Sequence, residues 1–357
     1  MAIRDETRML LESMSRLFED HCTKQVADAA ETGVFAQGLW NLVAETGLPL
    51  AALPEAAGGA DAEWSDLFAA LRVAARHSAP IPLAETMLAG WAAASCGLET
   101  SDGPMTVGPV RMGDKLTLER DGNGWRLSGV ATRVPYASFA TRTVLVVDGP
   151  EGEMVVALEG TGGGDLAKGR NIANESRDSL TFDNVRLSSD QASPVTGGVS
   201  RSALYRRGAL ARATMISGAL EKAMDLAVTY AQERQQFGRP ISKFQAVQQN
   251  LAVMAGQAAA AVAAADLAAD AVATGVRILP IAAGKARAGE AAGIAAAIAH
   301  QVHGAIGFTF EHNLHFITRR LWSWRDEFGN ESAWNRVLGR YMAQAGADRL
   351  WAEITAA

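Results

Sequence analysis

The stretch Y230-AQERQQFGRPISKF-Q245 decides how this chain is read. Tyr230 to Gln236 continues a helical pattern, Gly238 and Pro240 break it, and Ser242 with Gln245 has the spacing of a capping box that starts a new helix. On that reading Ser242 caps the amide of Gln245, and Arg234 meets the negative end of its own helix. A second reading takes the same helix N-terminus, with Arg234 three residues before Phe237, as a seat for an anion beside an apolar ring. A pyrophosphate suits such a seat.

On both sides of the break the pattern is helical. One helix is expected from Ser200 to Gln236, a second from Ser242 to Thr274 ahead of Gly275, a third from Pro280 to His303 ahead of Gly304, and a fourth over 330–355 behind Asn330. Long helices joined by short connections pack as antiparallel neighbours, so 197–357 is expected to be a C-terminal four-helix bundle domain. Upstream the texture differs. From 115 to 187 the short alternating runs KLTLER, WRLSGV, RTVLVVD, EMVVAL and SLTFDNVRL are separated by turn clusters such as Asp121-Gly122-Asn123-Gly124, which predicts a middle antiparallel β domain over 104–196. Met9, Leu10, Met14 and Leu17, then Leu67, Leu71 and Val73, place helices in an N-terminal helical domain over 1–103. The expected fold class is α+β, mostly α.

Composition narrows the function classes. A formal net charge of -6 over 357 residues gives no basic domain for a nucleic acid, so an anionic ligand must find a local cationic site. Cys22 and Cys96 form neither a disulfide framework nor a CxxC pair. The opening MAIRDETRML has no apolar core of a signal peptide, and a cytoplasmic location is expected. The Ala-rich run over 255–274 is broken by Asp266 and Asp270 and reads as close helix packing rather than membrane insertion. His300 with His303, and His312 with His315, have helical spacing, but no neighbouring motif completes a metal site and none is expected.

Tyr230, Ala231, Arg234, Phe237, Gly238, Ile241 and Gln245 match a Y-A-x-x-R-x-x-F-G-x-x-I-x-x-x-Q stretch, and the chain resembles the FAD-dependent acyl-CoA dehydrogenase family that carries it. A second segment, QVHGAIGFTFEH at 301–312, is similar to that family's Q-x-x-G-G-x-G-[FY]-T motif through Gln301, Gly304, Gly307 and Phe308, with Ala305 in place of the second Gly. The resemblance implies that Arg234, Phe237, Gln245, Gln301, Gly304 and Gly307 reach an FAD held mainly by a neighbouring subunit. A plain helix C-cap and turn is the other account of those glycines. ETGLPLAALPEAAGGA at 45–60 and LTFDNVRL at 180–187 extend the likeness along the chain.

The reaction implied is α,β-dehydrogenation of an acyl-CoA thioester, which needs a carboxylate base and a flavin over the Cα–Cβ bond. The family's base stands seven residues before an Arg. Counting back from Arg336 in DEFGNESAWNR puts Gly329 there, with Glu327 and Glu331 as the nearest substitutes. The alternative position, early in the first bundle helix, falls on Gly208 and Ala209. The W-I-[ST] strand that meets the flavin ring in this family reads Arg133-Val134-Pro135, and proline has no N–H to offer.

What is lost would hold the chain's own flavin, and what remains would reach a partner's. The resemblance is therefore to the degenerate subunit of heteromeric members known from bacterial steroid and related catabolism, expected to pair with a catalytic acyl-CoA dehydrogenase subunit in a heterotetramer. The sequence does not name the electron acceptor, for which an electron-transfer flavoprotein is the family's usual choice. Two alternatives stay open: a homo-oligomeric dehydrogenase using Glu327 or Glu331 as a displaced base, and a flavin-free scaffold of the same fold. The pairs Arg206-Arg207 and Arg319-Arg320 could meet CoA phosphates but are expected to be solvated, and Trp322, Trp324 and Trp334 could line an acyl pocket or a core.

Overall fold

The computed structural model describes residues 4–272, 277–349 and 351–352. In chain order these form helices α1 (Asp5–His21), α2 (Lys24–Thr32), α3 (Gln37–Glu45), α4 (Trp64–Arg76) and α5 (Leu83–Ser95). Strands follow: β1 (Met105–Gly108), β2 (Lys115–Asp121), β3 (Gly124–Pro135), β4 (Arg142–Gly149), β5 (Gly152–Glu159), β6 (Asp165–Ala167), β7 (Arg177–Leu187) and β8 (Ala192–Pro194). The chain then runs through α6 (Arg201–Glu233), the two-residue strands β9 (Gln235–Gln236) and β10 (Arg239–Pro240), α7 (Gln245–Asp270), α8 (Ile278–His303), α9 (Leu314–Asp326) and α10 (Glu331–Ala345). It divides into two compact units. One holds Asp28–Glu63 and Pro80–Gly208, the other Met1–Ala27, Trp64–Ala79 and Ala209–Ala357.

The first unit is built on an eight-stranded sheet in the order β6-β7-β3-β2-β4-β5-β8, with β1 beside β4. Alternation buries Leu116 and Leu118 of β2 and Leu127 of β3 with Leu145, Val147, Val156 and Phe182 in one core. The sheet is not wholly antiparallel as expected: β1 runs parallel to β4, and Thr117 of β2 pairs with Asp148 of β4 in the same sense. A long connection makes this possible, since β2 and β3 lie between β1 and β4 in the chain. The start of β1 is tied to α5, whose Thr86 hydroxyl accepts from the Met105 amide at 3.0 Å. β4 and β5 each bury five consecutive residues, as strands covered on both faces do.

The second unit is a helical bundle whose core is largely alanine. Ala288, Ala291, Ala292, Ala295, Ala296 and Ala299 of α8 pack with Ala219, Ala223 and Ala227 of α6, Ala258 and Ala261 of α7, and Leu314, Ile317, Leu321 and Trp324 of α9. Small side chains bring helix axes close together, which is how an Ala-rich run of this kind is used. Both α7 and α8 are long and apolar enough to cross a membrane. Seventeen residues of α8 are instead buried in protein.

Among the described residues five α-helices follow the sheet, one more than the four expected in the bundle. The helix not foreseen, α9, buries Thr318, Arg320 and Ser323 beside its apolar residues, so its core face carries polar groups that the hydrophobic pattern hides. The expected helix from Ser200 to Gln236 runs from Arg201 to Glu233. The end foreseen for the next helix, at Thr274 and Gly275, lies outside the described residues, as do residues 350 and 353–355 of the last expected helix.

Candidate functional site

The break after α6 is a tight β-hairpin. Gln236 pairs with Arg239 and Gln235 with Pro240, and the Ile241 amide closes its base on the Arg234 carbonyl at 2.8 Å. The two residues at the tip, Phe237 and Gly238, have φ of 52° and 77°. Positive φ at both central positions is the signature of the turns that fit a two-residue hairpin, usually Asn-Gly or Asp-Gly. Phenylalanine is a poor choice for that conformation, and the ring gains no burial from it, being 92% exposed. A strained and exposed aromatic at a hairpin tip points to something outside this chain that uses it.

The capping box does not form. Ser242 lies in a single 3-10 turn (Ile241–Lys243), Phe244 is the N-cap residue with extended backbone and no capping side chain, and Gln245 is the first helical residue. Ring packing moves the start: Phe244 meets Phe237 edge-on at 6.1 Å, and the Arg239 guanidinium lies 4.4 Å from the Phe244 ring centroid. The first turn of α7 thus has no side-chain cap on its amides, beside the exposed Arg234, Arg239 and Lys243. Anions bind at helix starts of this kind.

The second motif ends α8. Gln301 is exposed, Gly304 terminates the helix with φ 63° and ψ -141°, and residues Gly304–Phe308 form a 3-10 turn that exposes Ile306 and Phe308. Gly307 is buried, and a Cβ there would stand 3.0 Å from the His303 Cβ and 3.3 Å from His300 Nδ1. Its lack of a side chain therefore lets the turn settle on two histidines of its own chain. The two motifs meet at Tyr230, whose ring stacks on His303 at 4.7 Å and meets His312 edge-on at 6.3 Å.

The corner between α9 and α10 holds Gly329, which the family resemblance aligns with a base, and its neighbours Glu327 and Glu331. Phe328 and Gly329 both have positive φ, 52° and 88°, and the buried Trp334 donates its indole N–H to the Phe328 carbonyl at 2.9 Å. Lys285 of α8, with no exposed surface, donates to the Arg325 carbonyl at 2.6 Å and the Gly329 carbonyl at 2.7 Å. Burial pushes the Lys285 ammonium down to about 7, against the opposing pull of Glu327 and Glu331. Glu327 accepts from Arg212 Nε at 2.6 Å, the arginine being 1% exposed. Glu331 accepts from Arg325 through Nε at 3.0 Å and also from Nη2, and this pairing lowers its proton affinity. Arg212 lies on the helical turn after Ala209, so its ion pair with Glu327 joins α6 to the α9–α10 corner.

In the sheet unit, two backbone groups along 133–138 are engaged within the chain. The Pro135 carbonyl accepts from the Thr106 hydroxyl, and the Ser138 amide donates to Asp178 at 2.8 Å. Asp178 is 1% exposed and also accepts from the Ser176 hydroxyl at 2.7 Å and the Gly169 amide at 3.1 Å. These polar groups are committed within the chain.

Other candidates are corrected. Arg207 and Arg320 are buried rather than solvated, Arg207 with its guanidinium 4.3 Å from the Trp91 ring centroid and Arg320 donating to the Phe316 carbonyl at 3.0 Å. Trp324 and Trp334 are core residues, and Trp322 stacks over His300 at 5.6 Å. Among the described residues no cluster of His, Cys, Asp and Glu suits a metal. Sequence reasoning missed Lys285 and Arg212. A lysine inside an alanine-rich apolar helix was the one available signal.

Comparison with known proteins agrees with this architecture. Residues 4–101 match the acyl-CoA dehydrogenase N-terminal domain model and 199–345 the C-terminal domain model. The chain belongs to the acyl-CoA dehydrogenase family, a family of oxidoreductases. It is 29% identical over 326 residues to acyl-CoA dehydrogenase IpdE2 of Mycobacterium tuberculosis, spanning 88% of this chain and 91% of that one. The ChsE4-ChsE5 complex of the same organism superposes with a TM-score of 0.88 at 23% identity, over 97% of this chain and 99% of that one. The Tcur3481-Tcur3483 steroid ACAD, a G363A variant, superposes with a TM-score of 0.86 at 27% identity, over 96% and 98%.

Proposed function

We propose that this chain is the non-catalytic subunit of a heteromeric FAD-dependent acyl-CoA dehydrogenase. The observation that carries the reading is the α9–α10 corner: a glycine stands at the base position, and both nearby carboxylates are held by arginines. A base must turn a carboxylate toward the substrate's α-proton with room to accept it. Glu327 is turned inward to Arg212, and Glu331 is held by the more exposed Arg325.

FAD, where bound, supplies the hydride acceptor for α,β-dehydrogenation. This chain's part is to bind and cover. Phe237 offers an apolar face, Arg234 and the uncapped start of α7 offer positive charge to a pyrophosphate, and Gln301 offers a side-chain amide beside Gly304. Exposed Phe237, Phe308 and Phe310 on one unit are the apolar surface that a partner would cover. The relatives of known structure in the ChsE4-ChsE5 and Tcur3481-Tcur3483 complexes support a two-chain assembly, and the second supports a steroid-type acyl-CoA as substrate. The electron acceptor would be a flavoprotein, as the family resemblance implies.

The test is co-purification with a dehydrogenase-like chain encoded beside this one, followed by acyl-CoA turnover. Turnover by the complex that survives Glu327→Gln and Glu331→Gln here, but not loss of the partner's base, is the expected result. Turnover by this chain alone that Glu327→Gln or Glu331→Gln abolishes would establish the homo-oligomeric alternative. A stable complex without flavin would establish the scaffold alternative.

A further inference from the structure

Four of the chain's six histidines lie within His300–His315, around the turn Gly304–Phe308. His303 is the central one. It is 2% exposed, with its ring between Tyr230, stacked at 4.7 Å, and His312, edge-on at 4.6 Å. Nδ1 lies 2.7 Å from the Ala299 carbonyl, so that nitrogen carries the proton and donates. Nε2 is buried and has no hydrogen-bond partner among the described residues.

We propose that His303 is a positioning residue: its neutral imidazole locks the hairpin Gln235–Pro240 to the turn Gly304–Phe308, and protonation at Nε2 uncouples them, making capture of a partner's flavin acid-sensitive. The proposal rests on the subunit reading for its consequence, though not for its geometry. Tyr230 occupies the last turn of α6, and its carbonyl accepts from the Arg234 amide at 2.9 Å, so the Tyr230 ring sets where the hairpin leaves the helix. Gly307 packs on the Cβ of His303, so the same residue sets the height of the turn. A proton on Nε2 would add a charge and a buried N–H with no acceptor, and the ring could satisfy it only by moving.

The groups facing His303 do not offset that charge. Burial chiefly lowers its proton affinity, its Ala299 bond acts the other way, and His312 and His300 lower it further. Burial likewise lowers His300 and His312, with His315 adding to the second. Tyr230 faces it from α6, and Glu233, Arg234 and Glu311 on the flanking segments are exposed. Because the folded value lies below the ordinary 6.5, the neutral form is favoured when folded, and support for the turn is lost as pH falls below 6.5.

Amide hydrogen exchange on the full chain, followed by mass spectrometry and corrected for intrinsic rates, tests this at about pH 7.5 and about pH 5.5. Exchange over 304–309 should quicken by about fivefold or more in acid, with 235–241 quickening alongside, and His303→Phe should remove the response. A response absent from the wild type, or retained by His303→Phe, would overturn the proposal. Should that variant fail to fold, the C2 proton of His303 in the wild-type chain decides: a titration midpoint below 6.5 supports the proposal, and one at or above it overturns it. The subunit reading fails separately. A complex holding no flavin at either pH defeats that reading, while the exchange data still decide the role of His303.

Discussion

The Nζ of Lys285 lies 2.7 Å from the carbonyl oxygen of Gly329, the residue that the family resemblance aligns with a catalytic carboxylate. A second bond, to the Arg325 carbonyl at 2.6 Å, fixes both ends of the α9–α10 corner to the first third of α8. With Arg212 on Glu327 and Arg325 on Glu331, the corner is a closed set of charges and carbonyls. Both glutamates are held by arginines.

Removing the Lys285 head group should expose that role. Lys285→Met strands two carbonyls in the bundle, at about 1–3 kcal/mol each, and is expected to lower stability by about 2–5 kcal/mol in denaturant titration. A loss below about 1 kcal/mol would mean that the corner holds itself without the lysine.

Alkaline pH should stabilise the same corner. Folding lowers Lys285 from 10.5 to about 7, so between those values the unfolded chain binds more protons and stability rises with pH. The contribution is at most about 1.4 kcal/mol per pH unit, and subtracting the Lys285→Met profile isolates it. A wild-type profile parallel to that of the variant would refute it.

The two glutamates should separate by burial. Glu327→Gln leaves a guanidinium that is 1% exposed without its carboxylate and should cost about 3–5 kcal/mol. Glu331→Gln disturbs a more exposed pair, 37% and 21%, and should cost about 1 kcal/mol or less. Thermal or chemical unfolding of both variants reads the difference.

Phe237 should show the reverse of a core residue. Phe237→Asn supplies a residue suited to positive φ before Gly238 and should leave the chain as stable or more so, by up to about 1 kcal/mol. Flavin retention by the complex should fall by about tenfold or more, as loss of an apolar contact of this size implies. Unchanged retention would remove Phe237 from the cofactor surface.

The chain's order of helices, strands and helices was legible because periodicity is local. Leu116, Leu118 and Leu127 alternate, and Gly238 and Pro240 mark the break. What stayed hidden depended on distant partners. Ser242 and Gln245 have capping-box spacing, but the Phe244 ring packs with Phe237 and Arg239 and moves the helix start. The Arg212–Glu327 pair was hidden because Arg212, 115 residues earlier in the chain, could not be placed beside Glu327 from spacing. α9 was masked by Arg320 and Thr318, polar residues that its packing buries. The parallel pairing of β1 with β4 is a long-range choice that local alternation does not encode.

The most direct measurement is the visible flavin spectrum of this chain purified alone and after co-expression with a dehydrogenase-like partner. The account predicts no flavin alone and one FAD per pair of chains in the complex. Stoichiometric FAD on the chain alone, bleached by an acyl-CoA, would contradict it.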